Sequence, residues 1–133
     1  MGCTTQAYLE GRHFDDIIKF IEEYTNSKTL VTQGVAFRDE KGKPNEEDKH
    51  YYITFKLNGN RRSLYLSSSV STNREFVNDE IRGFKPKKGT YTLLDLGMTD
   101  DAQKLMKKLC EKFGGYYIPN DCEEEYQEIE IQS

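Results

Sequence analysis

Two segments that alternate between apolar and polar residues flank a tight turn, Asn58-Gly59-Asn60, in the middle of the chain. Turns of this composition supply the positive φ angles that a two-stranded antiparallel hairpin needs. The strands of the predicted hairpin are Tyr51–Leu57 and Arg62–Val70. Side chains alternate between the two faces of a strand, so one face of the second strand is apolar and the other carries hydroxyls. The apolar side has Leu64, Leu66 and Ser68, and the hydroxyl side has Ser63, Tyr65, Ser67 and Ser69.

Two amphipathic helices are predicted, one on each side of the hairpin in the sequence. The first has acids in its first turn and a stripe of apolar residues at helical spacing. Its stripe consists of Phe14, Ile17, Ile18, Ile21 and Tyr24. The second begins after Thr99, a good N-cap, and ends at Gly114-Gly115. Its stripe consists of Ala102, Leu105, Met106, Leu109, Cys110 and Phe113.

Other segments complete the predicted order of elements. Further strands are expected at Leu30–Arg38, Thr90–Leu96, Tyr116–Pro119 and Tyr126–Ile131. A polar connection spans Asp39–Lys49, and a long loop with a short helix at Arg74–Ile81 follows the hairpin. Short turns between most of the strands indicate antiparallel neighbours.

The predicted fold is a single α+β domain over residues 1–133, because a chain of 133 residues suits one domain. A mainly antiparallel sheet of about four to six strands is covered on one side by the two amphipathic helices. Residues 1–10 fall outside the predicted elements and are expected to form a disordered N-terminus. Residues 121–133 form an acidic C-terminal segment.

Cysteine usage and hydropathy exclude several classes of protein. No apolar run approaches the roughly 18 residues that span a bilayer, and no charged-then-apolar leader opens the chain. Cys3, Cys110 and Cys122 are odd in number and widely spaced, which fits neither a disulfide framework nor a paired-thiol zinc site. We therefore expect reduced thiols, a cytoplasmic location, no membrane partner, and neither a metal ion nor another cofactor.

Candidate catalytic groups are few. His13 lies beside Asp15, but the start of a helix accounts for a polar residue there. Cys122 has acidic neighbours, which disfavour the thiolate form. Neither GxxxxGK[ST] nor GxGxxG is present. We assign no catalytic residue, and a small enzyme ranks third among the functions considered.

Six acids and no base occupy residues 121–133, while the rest of the chain sums to a charge of +2. Clustered carboxylates suit a basic surface on another protein. We predict a small acidic binding or inhibitor protein that recognises such a partner through this segment and the 39–49 loop. Its size and charge pattern suit an anti-defence factor of a phage or mobile element. The predicted partner-binding residues are Asp121, Glu123, Glu124, Glu125, Tyr126 and Glu128.

The alternative function uses the cationic 61–88 segment. Basic side chains beside hydroxyls hold phosphates, and basic side chains interleaved with aromatic ones suit single-stranded nucleic acid. The alternative is therefore a module that binds a nucleotide, another phosphate ligand or a nucleic acid. Its predicted ligand-binding residues are Arg61, Arg62, Ser67, Ser69 and Arg74. The oligomeric state stays open.

Overall fold

The computed structural model describes residues 3–33, 50–71, 83–85 and 90–131. In chain order the elements are β1 (Thr4–Glu10), α1 (Asp15–Thr25), β2 (Leu30–Gln33), β3 (His50–Leu57), β4 (Asn60–Ser71), β5 (Thr90–Gly97), α2 (Asp100–Phe113), β6 (Gly115–Ile118) and β7 (Gln127–Ile129). The predicted 39–49 loop and the predicted helix Arg74–Ile81 lie outside the described residues. So does the part of the predicted strand Leu30–Arg38 that follows Gln33.

The described strands form a sheet with the order β2-β3-β4-β5-β1-β6-β7. Each neighbouring pair is antiparallel, which confirms the predicted α+β class and the antiparallel sheet. The predicted hairpin is β3 and β4, joined through Asn58 and Gly59, both of which have positive φ angles. The expected number of strands is wrong, because the described residues alone form a sheet of seven.

The strand missing from the sequence analysis is β1, which lies between β5 and β6 in the interior of the sheet. The expectation of a disordered N-terminus is therefore wrong for Thr4–Glu10. Tyr8 pairs with Leu93 on one side and with Tyr116 on the other. The Thr5 side chain is fully buried, and its hydroxyl donates to the Ile118 carbonyl at 3.1 Å. This hydrogen bond compensates for burying a polar group in the strand.

A first hydrophobic cluster joins both helices to alternate residues of β1, β3, β4, β5 and β6. Ile17 and Ile21 of α1 are fully buried in it. Leu105, Met106 and Leu109 of α2 are fully buried as well. Apolar residues of both predicted helical stripes therefore face the core, as their spacing indicated.

Three of the four described helix ends have residues that suit their geometry; the exception is the start of α1, where the N-cap position is Phe14 and no side chain caps the helix. The Thr99 hydroxyl accepts a hydrogen bond from the Ala102 N–H at 3.3 Å and caps the start of α2, as predicted. At the other end, the Gly114 N–H donates to the Cys110 carbonyl at 2.7 Å. Helix α1 ends at Asn26, which adopts the left-handed conformation.

A second, mostly aromatic cluster lies on the opposite face of β1, β5 and β6. It consists of Tyr8, Phe84, Tyr91, Tyr116, Ile118 and Tyr126. Phe84 is fully buried and stacks on Tyr8 with 4.0 Å between ring centroids. Strand β1 sends Ala7 and Leu9 into the first cluster and Tyr8 into the second. The middle of the sheet is therefore buried on both faces.

Candidate functional site

The acidic segment after β6 is a turn followed by the short strand β7, and we call residues 120–126 the acidic turn. Its shape depends on Asn120, whose side chain accepts from the Cys122 N–H at 2.9 Å. The Asn120 carbonyl also accepts a hydrogen bond from the Glu124 N–H at 3.0 Å. Three consecutive exposed glutamates follow: Glu123, Glu124 and Glu125.

A disulfide between Cys3 and Cys122 fastens the acidic turn to the start of β1. The expectation of reduced thiols is therefore wrong for these two cysteines. They meet across 119 residues of sequence because the Asp121 N–H donates to the Thr4 carbonyl at 3.0 Å, which keeps the turn beside β1. Disulfides persist chiefly in oxidising compartments. The expectation of a cytoplasmic location thus loses the support that it drew from reduced thiols.

Tyr126 fastens the other end of the acidic turn. Its side chain is 7% exposed, packs in the second cluster, and donates its hydroxyl to Gln6 Oε1 at 2.8 Å. Tyr126 was predicted to bind the partner, but its ring lies inside the protein. Glu128, also predicted to bind the partner, is exposed on β7 and pairs with Tyr116 of β6. The turn therefore has an interior anchor next to its exposed carboxylates.

A pair of carboxylates, Asp95 and Asp121, lies beside the acidic turn. The Oδ2 atom of each is within 3.3 Å of both Thr4 Oγ1 and Gln6 Nε2. The threonine hydroxyl and the glutamine amide supply three hydrogens for these four contacts, so the carboxylates compete for donors. Burial and the nearby charge of Asp121 raise the pKa of Asp95, and the hydrogen bonds from Thr4 and Gln6 oppose the rise.

Asp95 was not singled out in the sequence as a residue with a perturbed environment. It lies in the segment T-Y-T-L-L-D-L, which was interpreted only as a strand. The available signal was the charged residue itself, since a strand in the middle of a sheet seldom carries an isolated carboxylate.

Asp95→Asn is expected to remove the contribution that the Asp95 carboxyl makes to the pH dependence of folding stability. The folded protein holds the Asp95 proton more tightly than the unfolded chain, because burial raises the pKa of this carboxyl. Stability contributed by this group is therefore present below the ordinary aspartate pKa and lost as pH rises through the raised value. The free energy of unfolding of the wild type, relative to the variant, should fall across that window. Urea unfolding of both proteins from about pH 3.5 to about pH 7 measures it.

Asp101→Asn is the matched control, with the opposite sign. A hydrogen bond from the Thr99 hydroxyl, helped by the charge of Arg62, lowers the pKa of Asp101. Stability from this group is present above the ordinary aspartate pKa and lost as pH falls. As pH rises, the free energy of unfolding of the wild type should therefore increase relative to that of the Asp101 variant. If both variants followed the same direction, the assignment of a raised pKa to Asp95 would be contradicted.

The predicted cationic ligand residues that the structure describes do not meet at one place. Arg61 and Arg62 are consecutive in β4, so their side chains leave opposite faces of the sheet. Arg61 is exposed, whereas Arg62 Nη2 lies 3.7 Å from Asp101 Oδ1 at the start of α2. Ser67 is buried on the same face as Arg61. The side chain of Ser69 and the whole of Arg74 lie outside the described residues.

The cysteines offer no thiolate for catalysis or for a metal ion. Cys110 is fully buried, and burial raises the pKa of its thiol to about 12. Its predicted place on the apolar stripe of the second helix is confirmed, and it packs there as a small hydrophobic residue. The ligand atoms of Cys3, Asp121 and Cys122 lie within 4.8 Å of one another. The two sulfurs are bonded to each other, however, and a metal ion binds the thiolate form.

A second exposed feature is found on β3 and β4, on the face opposite to the first cluster. Side chains there form three cross-strand rows, because the register pairs Tyr52 with Tyr65, Thr54 with Ser63 and Lys56 with Arg61. We call these six residues the open sheet face. Tyr52 is 43% exposed, and both cations are exposed. Only Arg61 among the six had been predicted as a ligand residue.

None of the helices in the described part of the chain is long and apolar enough to span a membrane. Comparison of the chain with protein-family models, with curated proteins and with solved structures found no match.

Proposed function

We propose that this protein is a small binding protein that presents the acidic turn to a basic surface of another protein. The observation that carries the proposal is the fastening of the turn on both sides. Cys122 is bonded to Cys3, and Tyr126 is packed in the second cluster. A segment fixed in this way loses little conformational entropy when it binds, so more of the interaction energy appears as affinity.

The charge of the acidic turn indicates the chemistry of the partner. Glu123, Glu124 and Glu125 are exposed, and residues 121–133 contain no lysine or arginine. Adjacent carboxylates repel one another, and a basic surface relieves that repulsion when it docks. An inhibitor of this kind occupies a basic site on its target, as an anti-defence factor of a phage or mobile element would.

The arrangement of the helices fits this use of the turn. The proposal takes α1 and α2 to cover the same face of the sheet. Membership of Ile17 and Leu105 in one cluster supports it. Tyr126 belongs to the cluster on the opposite face. The acidic turn would then dock without obstruction from either helix.

Neutralising the turn should slow association with the partner. The variant combines Glu123→Gln, Glu124→Gln and Glu125→Gln. The wild-type protein and the variants are each used as bait to capture partners from a lysate of the cells that produce the protein. With the purified partner, the association rate at low salt should fall about tenfold because electrostatic steering is lost. The dissociation rate should change less. Biosensor kinetics at several salt concentrations measure both rates.

A matched control removes three other exposed acids: Glu10→Gln, Asp16→Asn and Glu23→Gln, on β1 and α1. This variant has the same net charge as the first, and it should keep the wild-type association rate. If the two variants lose the same captured proteins, net charge and not the acidic turn controls binding. If neither loses any, and salt has no effect, the proposed function is wrong.

A further inference from the structure

Two exposed cations, Lys56 and Arg61, face each other across β3 and β4. Like charges in a cross-strand pair destabilise a sheet. Within the described ranges, no ion pair joins either side chain to a carboxylate. Repulsion between the two cations therefore destabilises the sheet locally, and a bound anion would relieve that repulsion.

The same two cations and Lys28 line a groove of about 520 Å³. Ser27, Thr29 and Thr54 also line the groove. The Thr54 hydroxyl lies 3.4 Å from that of Ser63, whereas the Thr29 hydroxyl donates to Glu22 Oε2 at 3.2 Å. Cationic side chains together with hydroxyl donors are the groups that bind phosphate oxygens. The groove thus offers phosphate contacts from β3 and β4, through Lys56, Thr54 and Arg61.

An aromatic platform lies on the same face, at the other end of the open sheet face. The rings of Tyr52 and Tyr65 have centroids 5.7 Å apart, and His50 packs 5.5 Å from Tyr65. Tyr52 is the more exposed ring, and the rings beside it hold it in place. Leu30 of β2, which is 62% exposed, adds apolar surface next to Thr54. An exposed ring on such a support is a surface on which an unpaired base stacks.

The two ends of this face are too far apart for one small anion. Tyr52 and Lys56 are four residues apart along β3, which corresponds to about 13 Å. The hydroxyls of Thr54 and Ser63 lie between them, 3.4 Å from each other. A free phosphate reaches only the cationic end, whereas a short single strand contacts the rings, the hydroxyls and the cations together.

Glu22 is an acid beside this groove: its Oε2 accepts a hydrogen bond from the Thr29 N–H at 2.9 Å, and this bond, together with the charge of Lys28, lowers the pKa of its carboxyl. The acidic turn is farther away. The acidic turn follows β6, which is three strand spacings, or about 14 Å, from β4. Charges that are exposed at this separation are largely screened, since the Debye length is about 8 Å at physiological ionic strength. Asp95 pairs with Tyr65 and lies beside the aromatic platform. The phosphate backbone of a bound strand would therefore run along the cations at the other end of the face.

We propose that the open sheet face binds single-stranded nucleic acid, with phosphates at Lys56 and Arg61 and an unpaired base on Tyr52. Base pairing hides the faces of the bases, so a duplex should bind more weakly. RNA and DNA share the groups that are contacted, and the test includes both. No residue of the acidic turn takes part, so the proposal is independent of the proposed protein partner.

Fluorescence anisotropy with labelled oligo-dT and oligo-rU strands of about 12 nucleotides tests the proposal on the whole protein. Tyr52→Ala should weaken binding about tenfold, and Tyr52→Phe should keep it, because the stacking surface remains. Lys56→Gln with Arg61→Gln should also weaken binding at low salt. The slope of log K against log salt should become shallower by about 1.4, because two phosphate contacts are lost.

Controls of the same chemistry come from the helices. Tyr24→Ala removes a tyrosine of α1 that is 42% exposed, and Lys104→Gln with Lys107→Gln removes two exposed cations of α2. Both should bind like the wild type. Circular dichroism checks the fold of each variant. The ring and charge variants test the two ends of the face separately, so either one suffices if the other unfolds.

Three results would overturn the proposal. The first is no saturable binding of either strand below about 100 μM, where even non-specific binding is seen. The second is equal loss of binding in the helix controls, or equal affinity for a duplex. The third is a dimer, seen by sedimentation, that Tyr52→Ala breaks while no strand binds; the face would then be an interface between two copies of this chain.

Discussion

Gly115→Ala should lower the free energy of unfolding by about 4 kcal/mol or more, an unusually large effect for adding one methyl group. A Cβ at this position would lie 1.9 Å from the Tyr8 carbonyl oxygen and 3.0 Å from the Leu9 Cα. Both contacts are with backbone of β1, so no side-chain rotation relieves them. Residue 115 also has a φ of +139°, which L side chains rarely adopt. The strand pairing between β1 and β6 would have to open.

Gly59→Ala separates the two causes. Gly59 also has a positive φ, +82°, but a Cβ there meets nothing within 4 Å. The free energy of unfolding of this variant should fall only by what a positive φ costs an alanine, about 1–2 kcal/mol. Urea unfolding of both variants measures the difference. Comparable losses at the two glycines would mean that β1 does not approach β6 as closely as described.

Local sequence patterns predicted the elements whose partners are close in the chain. The β3–β4 hairpin has the predicted turn and alternation, so Tyr65 and Ser67 lie on the face opposite to Leu64 and Leu66. Thr99 caps α2 as predicted. In each case the interaction that decides the structure acts within a few residues, and the sequence shows both participants together.

Interactions between distant parts of the chain were missed. β1 pairs with β5 and β6, so its two partners lie near the other end of the chain. Its burial on both faces also removes the alternation that predicts a strand. Cys3 and Cys122 were judged by their spacing in sequence, which says nothing about two strands that become neighbours. Gly115 was interpreted as a helix stop, although the approach of β1 is what requires a glycine there.

In the candidate sites, too, the features set by local sequence could be predicted and those set by distant residues could not. Exposure of Glu123 and its neighbours follows from local charge. The inward position of Tyr126 depends on Gln6, 120 residues away, and no local pattern indicates it. Arg61 and Arg62 were grouped by adjacency, although strand alternation separates them. The open sheet face could have been found by applying that alternation to both strands of the hairpin at once.

Phe84→Ala should cost about 3–5 kcal/mol, the range for removing a fully buried phenylalanine. Phe84 stacks on Tyr8 and contacts Tyr91 and Tyr116 edge-on, so truncation leaves a cavity among rings from three strands. Its ring centroid is also 5.7 Å from that of Tyr126, the interior anchor of the acidic turn. We therefore expect the substitution to loosen the turn as well as the cluster. Urea unfolding measures the stability, and near-ultraviolet circular dichroism reports the packing of the tyrosines.

A double-mutant cycle tests the link between the cluster and the acidic turn. If Phe84 holds Tyr126 in place, the losses from Phe84→Ala and Tyr126→Ala should fall short of additivity by about 1 kcal/mol, as for residues in contact. Phe20→Ala is the matched control, because Phe20 packs against Phe113 at the first cluster and does not touch Tyr126. Its loss should add to that of Tyr126→Ala. Strict additivity for Phe84 would instead show that the disulfide and the Asp121 hydrogen bonds hold the acidic turn without the second cluster.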